Sequence, residues 1–132
     1  MGLKISLRDG DRVIINGAVL RAKGRSEVIV ESQARILRGQ DVMTPEQADT
    51  PARRLYFACM MAYIDEANSS VHQESILLLL SALLNAVQQL EAQAACVRVA
   101  RKVAMLDYYS ALTECRWLID FEEDILSPAL IQ

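Results

Sequence analysis

Glycine and proline are placed so unevenly along this chain that they divide it in two. All five glycines lie at or before Gly39, and from Ala52 to Ser127 there is neither glycine nor proline. The first part holds residues that tight turns need, and the second lacks the usual helix breakers. Charge divides at the same place. Residues 1–43 carry eight Lys/Arg against five Asp/Glu, net +3, and residues 44–132 carry six against twelve, net −6, giving −3 for the whole chain. The expected fold class is α+β. A small basic antiparallel module of five β-strands occupies residues 1–43, and an acidic module of three α-helices occupies residues 44–132.

The segment "RVIINGAVLR" is the clearest local signal. Asn16-Gly17 between apolar runs predicts a two-residue type I′ hairpin. Counting outward sets Ile15 against Ala18, Ile14 against Val19, Val13 against Leu20 and Arg12 against Arg21. "KISLRDGDR" supplies an earlier strand, with Leu3, Ile5 and Leu7 on one face and Lys4, Ser6 and Arg8 on the other. "EVIVE" and "ARILR" read as two further strands. Open edges in so small a sheet are expected to be curled away or covered by a second copy.

Two arginines directly opposite one another repel by several tenths of a kcal/mol. Either Glu27 or Glu31 on a neighbouring strand neutralises them, or an anion sits between them. Lys4, Arg8, Lys23, Arg25, Arg35 and Arg38 extend the second possibility to a nucleic-acid surface, since phosphate contacts dominate such binding. No aromatic residue precedes Tyr56, so base stacking is not available within this module.

The helical module begins at two Thr-Pro steps. Thr44-Pro45 and Thr50-Pro51 each present an N-cap followed by proline at the first helical position, with Gln47 placed for a capping box. The pattern predicts a short turn at 45–48 and helices at about 51–68, 71–91 and 93–126, with Ser69 or Ser70 capping the second. Ile76, Leu80, Leu83, Leu84, Val87 and Leu90 form the main stripe of that second helix. Leu77, Leu78 and Leu79 overflow it, so the helix needs cover on several sides, and a homodimer is expected. The third helix carries Val97, Met105, Tyr108, Leu112, Cys115 and Ile119. Arg53 and Arg54 stand where a helix N-terminus disfavours cations. Either one of these arginines pairs with Glu46 or Asp49, with Tyr56 and Phe57 as packing anchors, or the stretch is a recognition surface. In that second case Arg53, Arg54, Tyr56, Leu79 and Leu83 are the candidate partner-binding residues.

Catalytic patterns are missing. There is one histidine, His72, and no HExxH, GxSxG, P-loop or GxGxxG occurs. Three cysteines without close spacing read as reduced core thiols. The acidic run Asp120 to Asp124 reads as a solvated face or a patch for a basic partner. No cofactor is expected, nor an enzyme. The N-terminus has no apolar signal core and the leucine-rich run falls short of a membrane span, so a cytoplasmic location is expected.

"LKISLRDGDRVIINGAVL", "ILRGQDVMTPEQADTPARRLYF" and "DYYSAL" together resemble the FlbT family of flagellum biosynthesis repressors. The resemblance is close over roughly residues 3–66, partial over about 103–126 and not carried by about 68–95. It implies a post-transcriptional regulator that acts on the leader of flagellin mRNA, repressing translation or promoting decay, alongside a small FlaF-type partner. In some bacteria the family acts positively. The first 43 residues are also faintly similar to the carbon storage regulator, a small β protein that binds mRNA leaders as a dimer. That likeness implies RNA-gripping positions on or near Lys4, Ser6, Arg8, Arg35 and Arg38. The competing expectation is an adaptor or chaperone-like module of flagellum assembly that works through protein contacts alone.

Overall fold

The computed structural model describes the backbone of residues 2–131 and the side chains through Ile125. The chain forms two compact units, Met1–Val42 and Met43–Gln132.

In the first unit, β1 (Leu3–Leu7), β2 (Arg12–Ile15), β3 (Ala18–Arg21), β4 (Ser26–Val30) and β5 (Ile36–Arg38) form two small antiparallel sheets. One has two strands in the order β1-β4, and the other has three in the order β3-β2-β5. The β2–β3 register pairs Ile15 with Ala18, Ile14 with Val19, Val13 with Leu20 and Arg12 with Arg21, as the Asn-Gly spacing predicts. Asn16 and Gly17 both have positive φ, 51° and 86°, which the type I′ turn requires. Asn16 also joins β5 to the hairpin. Its Oδ1 accepts from the Arg35 backbone N–H at 2.8 Å, and its own N–H donates to the Arg35 carbonyl at 2.8 Å. The core between the sheets is small. Ile5, Leu7, Val13 and Ala22 are buried, with Ile15, Val30 and Ile36 packed against them.

The second unit has four helices: α1 (Pro51–Ile64), α2 (Ser69–Ala86), α3 (Leu90–Ala104) and α4 (Tyr108–Ile131). A 3-10 turn at Pro45–Gln47 precedes them, with Gln47 Oε1 accepting from the Thr44 N–H at 2.8 Å. Thr50 caps α1 through its hydroxyl, which accepts from the Arg53 N–H. α1 packs against α2 and α4, and α3 packs against α4. Cys59, Cys96 and Cys115 are all free and buried. Cys59 and Cys115 lie 3.9 Å apart, sulfur to sulfur. Their hydrogen bond, then burial, holds the Cys115 thiol well above its ordinary range.

The helical expectation needs four corrections. The expected third helix is two helices. α3 ends in a Schellman motif, in which the Asp107 N–H reaches the Lys102 carbonyl at 2.8 Å and the Leu106 N–H reaches the Val103 carbonyl at 2.9 Å. The left-handed position of that motif, normally glycine, is Leu106 at φ 61°, so no glycine marks the break. α1 stops at Ile64 and α2 at Ala86, each shorter than the apolar pattern implies. Beyond α2, Val87 is extended and its carbonyl is taken by Gln93 Nε2. Neither Ser69 nor Ser70 caps α2. Its N-cap is Asn68, whose side chain instead bonds the Asp65 carboxylate. Finally, Val97 and Met105 are exposed, while Ala92, Ala95, Cys96, Val99 and Val103 form the buried face of α3. Small residues let α3 approach its neighbour closely, and the sequence stripe follows size instead.

Candidate nucleic-acid interface

Strand alternation decides which basic residues of the first unit share a face. Arg12 and Arg21 are direct cross-strand partners and point the same way as Ile14 and Val19. Arg38 pairs with Val13 on β5, so it lies on the opposite face of the three-stranded sheet. One continuous patch containing Arg12, Arg21 and Arg38 is therefore not formed on this sheet. Lys4 pairs with Ile29 and Ser6 with Glu27 across the other sheet. The Lys4 ammonium sits 3.4 Å from Glu27 Oε1, with both side chains well exposed.

That ion pair corrects one sequence expectation. Glu27 belongs to β4, which pairs with β1 and not with the hairpin. It serves Lys4, and no carboxylate among the described residues forms an ion pair with Arg12 or Arg21. Both arginines are exposed. The repulsion set up by the hairpin is left to solvent or to an anion.

The structure brings a second pair together. Arg8 follows β1 and Arg25 precedes β4, and the Leu7–Ser26 pairing ends the ladder between them. Both line one open depression with Ser6, Leu7, Ser26 and Glu27. The surrounding turns are held by aspartates. Asp11 Oδ2 accepts from the Arg8 N–H at 2.9 Å, and Asp9 Oδ1 accepts from the Gly24 N–H at 2.6 Å. Two of the unit's five carboxylates thus bind backbone donors. Lys23 lies between these turns and is exposed, and Arg35 is half-buried beside Asn16.

In the second unit, the residues proposed for partner binding separate. Tyr56 is 1% exposed, so its ring offers no face to a base. Its hydroxyl accepts from Arg116 Nη2 at 3.1 Å, and that guanidinium lies 5.1 Å from the ring centroid. Leu83 is a core residue at 7% exposure. Leu79 is half-buried, while Leu77 and Leu78 are exposed. Arg54 is exposed. Arg53 donates from Nη1 to Asp49 Oδ1 at 3.0 Å and from Nη2 to Glu123 Oε1 at 2.7 Å. These bonds, Asp49 first, raise its already high pKa. The Asp49 pairing is one of the two expected, and the Glu123 pairing was not legible because it spans 70 residues.

The whole-chain comparison is decisive for the family. The family described as Flagellar protein FlbT matches residues 3–126. The chain belongs to the FlbT family. The match includes residues 68–95, where the sequence motifs carry no resemblance. A protein of Caulobacter sp. (strain K31) named probable flagellum biosynthesis repressor protein FlbT is 36% identical, covering 96% of this chain and 97% of its own. The flagellum biosynthesis repressor protein FlbT of Caulobacter vibrioides is 35% identical, covering 96% and 90%. The probable FlbT of Agrobacterium fabrum is 35% identical, covering 98% and 91%. No solved structure matches this FlbT chain. Among the described residues, no helix is long and apolar enough to cross a membrane.

Proposed function

We propose that this FlbT-family chain is a non-catalytic, cytoplasmic regulator of flagellin synthesis that binds the leader of flagellin mRNA. Binding represses translation or promotes mRNA decay. The relatives' names give them a repressor role in flagellum biosynthesis. The observation that carries the RNA reading is the exposed Arg12–Arg21 pair, set face to face with no ion-pair partner among the described residues. Arg8 and Arg25, lining one depression, offer a second place for a phosphate. Lys4, Lys23, Arg35 and Arg38 add to the positive field around both. With no aromatic side chain in the unit, the contacts are to backbone phosphates, and register is set by RNA shape. The test is whether the purified chain alone shifts flagellin leader RNA in a gel. A shift only in the presence of another protein would contradict the proposal.

A second reading has its own observation. Leu77 and Leu78 lie exposed on α2, in a stretch from Ser75 to Leu90 that holds no charged residue. Such a surface fits protein contact, either self-association or a FlaF-type partner, with Arg53, Arg54 and Leu79 at its disposal. On this reading the chain is an adaptor in flagellum assembly without direct RNA contact. The same gel decides between the two.

A further inference from the structure

Four acidic residues lie between Asp120 and Asp124, and two of them have identified structural work. Glu123 holds Arg53. Glu122 Oε2 accepts the Ala52 backbone N–H at 3.1 Å. The other oxygen, Glu122 Oε1, is buried and has no hydrogen-bond partner among the described residues. An ionised carboxylate offers about four acceptor sites, and a buried one left unpaired is strongly disfavoured.

Glu122 is part of the wall of a cleft of about 340 Å3 lying wholly within the second unit. The rest of the wall is nearly all apolar, with Leu83, Val87, Leu118, Phe121 and Ile125 prominent. Phe121 is steadied from behind by Trp117, their rings stacked 5.3 Å apart at 12°. An apolar trough with one anionic acceptor in its wall complements a side chain that has an apolar stem and a cationic head. Asp120 and Asp124 stand exposed on the same helix, and they attract a cation and repel an anion.

We infer that this cleft is a docking site for a partner protein segment that inserts an arginine or lysine, its stem along Phe121 and its head at the Glu122 carboxylate. An RNA chain, being an anion, is the wrong occupant. The site is thus independent of the basic strands of the first unit, and either proposal can fail without the other.

The full-length chain, methyl-labelled, is titrated with a Leu-Arg-Leu tripeptide blocked at both ends, and with its Leu-Glu-Leu counterpart. The arginine peptide shifts the methyl resonances of Ala86, Val87, Leu118 and Ile125, and the glutamate peptide binds at least about 10-fold more weakly. Glu122→Gln keeps an oxygen for the Ala52 N–H but puts an NH2 donor where Oε1 was. It lowers affinity for the arginine peptide at least about 5-fold with the melting temperature little changed. Ala86→Trp, at the exposed rim, fills the cleft and abolishes the shifts. Equal binding of both peptides, no shift with millimolar arginine peptide, or shifts that survive Glu122→Gln would overturn the inference. So would a dimer that Ala86→Trp dissociates, because the cleft's occupant would then be a second copy.

Discussion

Glu122 and Ala52 are 70 residues apart in sequence, yet the carboxylate of one receives the backbone N–H of the other at 3.1 Å. The bond places a negative charge at the N-terminus of α1, where the helix dipole favours it. It also answers the cation problem posed by the sequence, because the next residue, Glu123, takes Arg53. Removing the carboxylate by Glu122→Ala is expected to cost about 1 kcal/mol. A fall of a few degrees in melting temperature checks it. Glu122→Gln is expected to be nearly neutral for stability, since the amide oxygen still caps the helix. Equal losses for both variants would mean that side-chain packing, not the N–H bond, is what Glu122 provides.

Leu106 occupies the left-handed position between α3 and α4 at φ 61° and is exposed. A branched side chain there is strained, and an exposed one returns little by burial. Leu106→Gly is expected to raise stability by about 1 kcal/mol, read as a higher midpoint in urea with an unchanged slope. An unchanged or lowered midpoint would show that the leucine side chain contributes more than its backbone costs.

The α1–α2 junction titrates. Asp65 Oδ2 lies 2.9 Å from His72 Nε2, and both carboxylate oxygens accept from the Asn68 amide. The bond to His72 first, then Asn68, lowers the Asp65 pKa below the ordinary aspartate value. A carboxylate whose native pKa is depressed contributes stability above its unfolded pKa and loses it as pH falls through the native one. Wild-type stability should therefore decline with acid below the normal aspartate range. Asp65→Asn should remove part of that slope, as measured by urea midpoints from pH 7 down to pH 3. An identical acid profile in the variant would exclude this junction as a contributor.

The first unit gives reason to expect self-association. Among the described residues of this 42-residue unit, only six are buried hydrophobics, Ile5, Leu7, Val13, Ile14, Ala22 and Leu37, and so short a stretch is near the lower limit for folding without disulfide, metal or oligomer. Val19, Leu20, Val28 and Ile29 are exposed on strands whose outer edges are open. With the exposed leucines of α2, they lead us to expect a dimer. Sedimentation equilibrium should give about twice 14.7 kDa at micromolar concentration. A species of 14.7 kDa alone would refute it.

The legible parts of the fold were those written in local chemistry. Asn16-Gly17 determines a turn, and the turn determines the whole β2–β3 register, including Arg12 against Arg21. Thr50 with Pro51 starts α1 for equally local reasons. The breaks that escaped lack punctuation residues. Leu106 adopts a glycine conformation, and the end of α2 is supported by Gln93 reaching back to the Val87 carbonyl. Sheet partition was also hidden, because β4 pairing with β1 is set by a long-range core. That pairing decides that Glu27 meets Lys4 and leaves Arg12 and Arg21 to solvent. In the helical unit, the sequence left Tyr56 as either a packing anchor or part of a recognition surface. It did not show that the ring is buried beside Arg116, 60 residues on. The Glu122 cleft was visible only as an acidic run, since its apolar wall is assembled from three helices and the Gln89 turn.

The central claim is that Arg12 and Arg21 hold RNA phosphates. The direct measurement is the affinity of the purified chain for flagellin leader RNA across a series of salt concentrations, for wild type and for Arg12→Ala with Arg21→Ala. Each phosphate contact on single-stranded RNA contributes about 0.7 to the slope of log affinity against log salt. The account predicts weaker binding by the double variant and a slope smaller by about 1.4, with the fold intact by circular dichroism. A folded double variant with wild-type affinity and wild-type slope would contradict it.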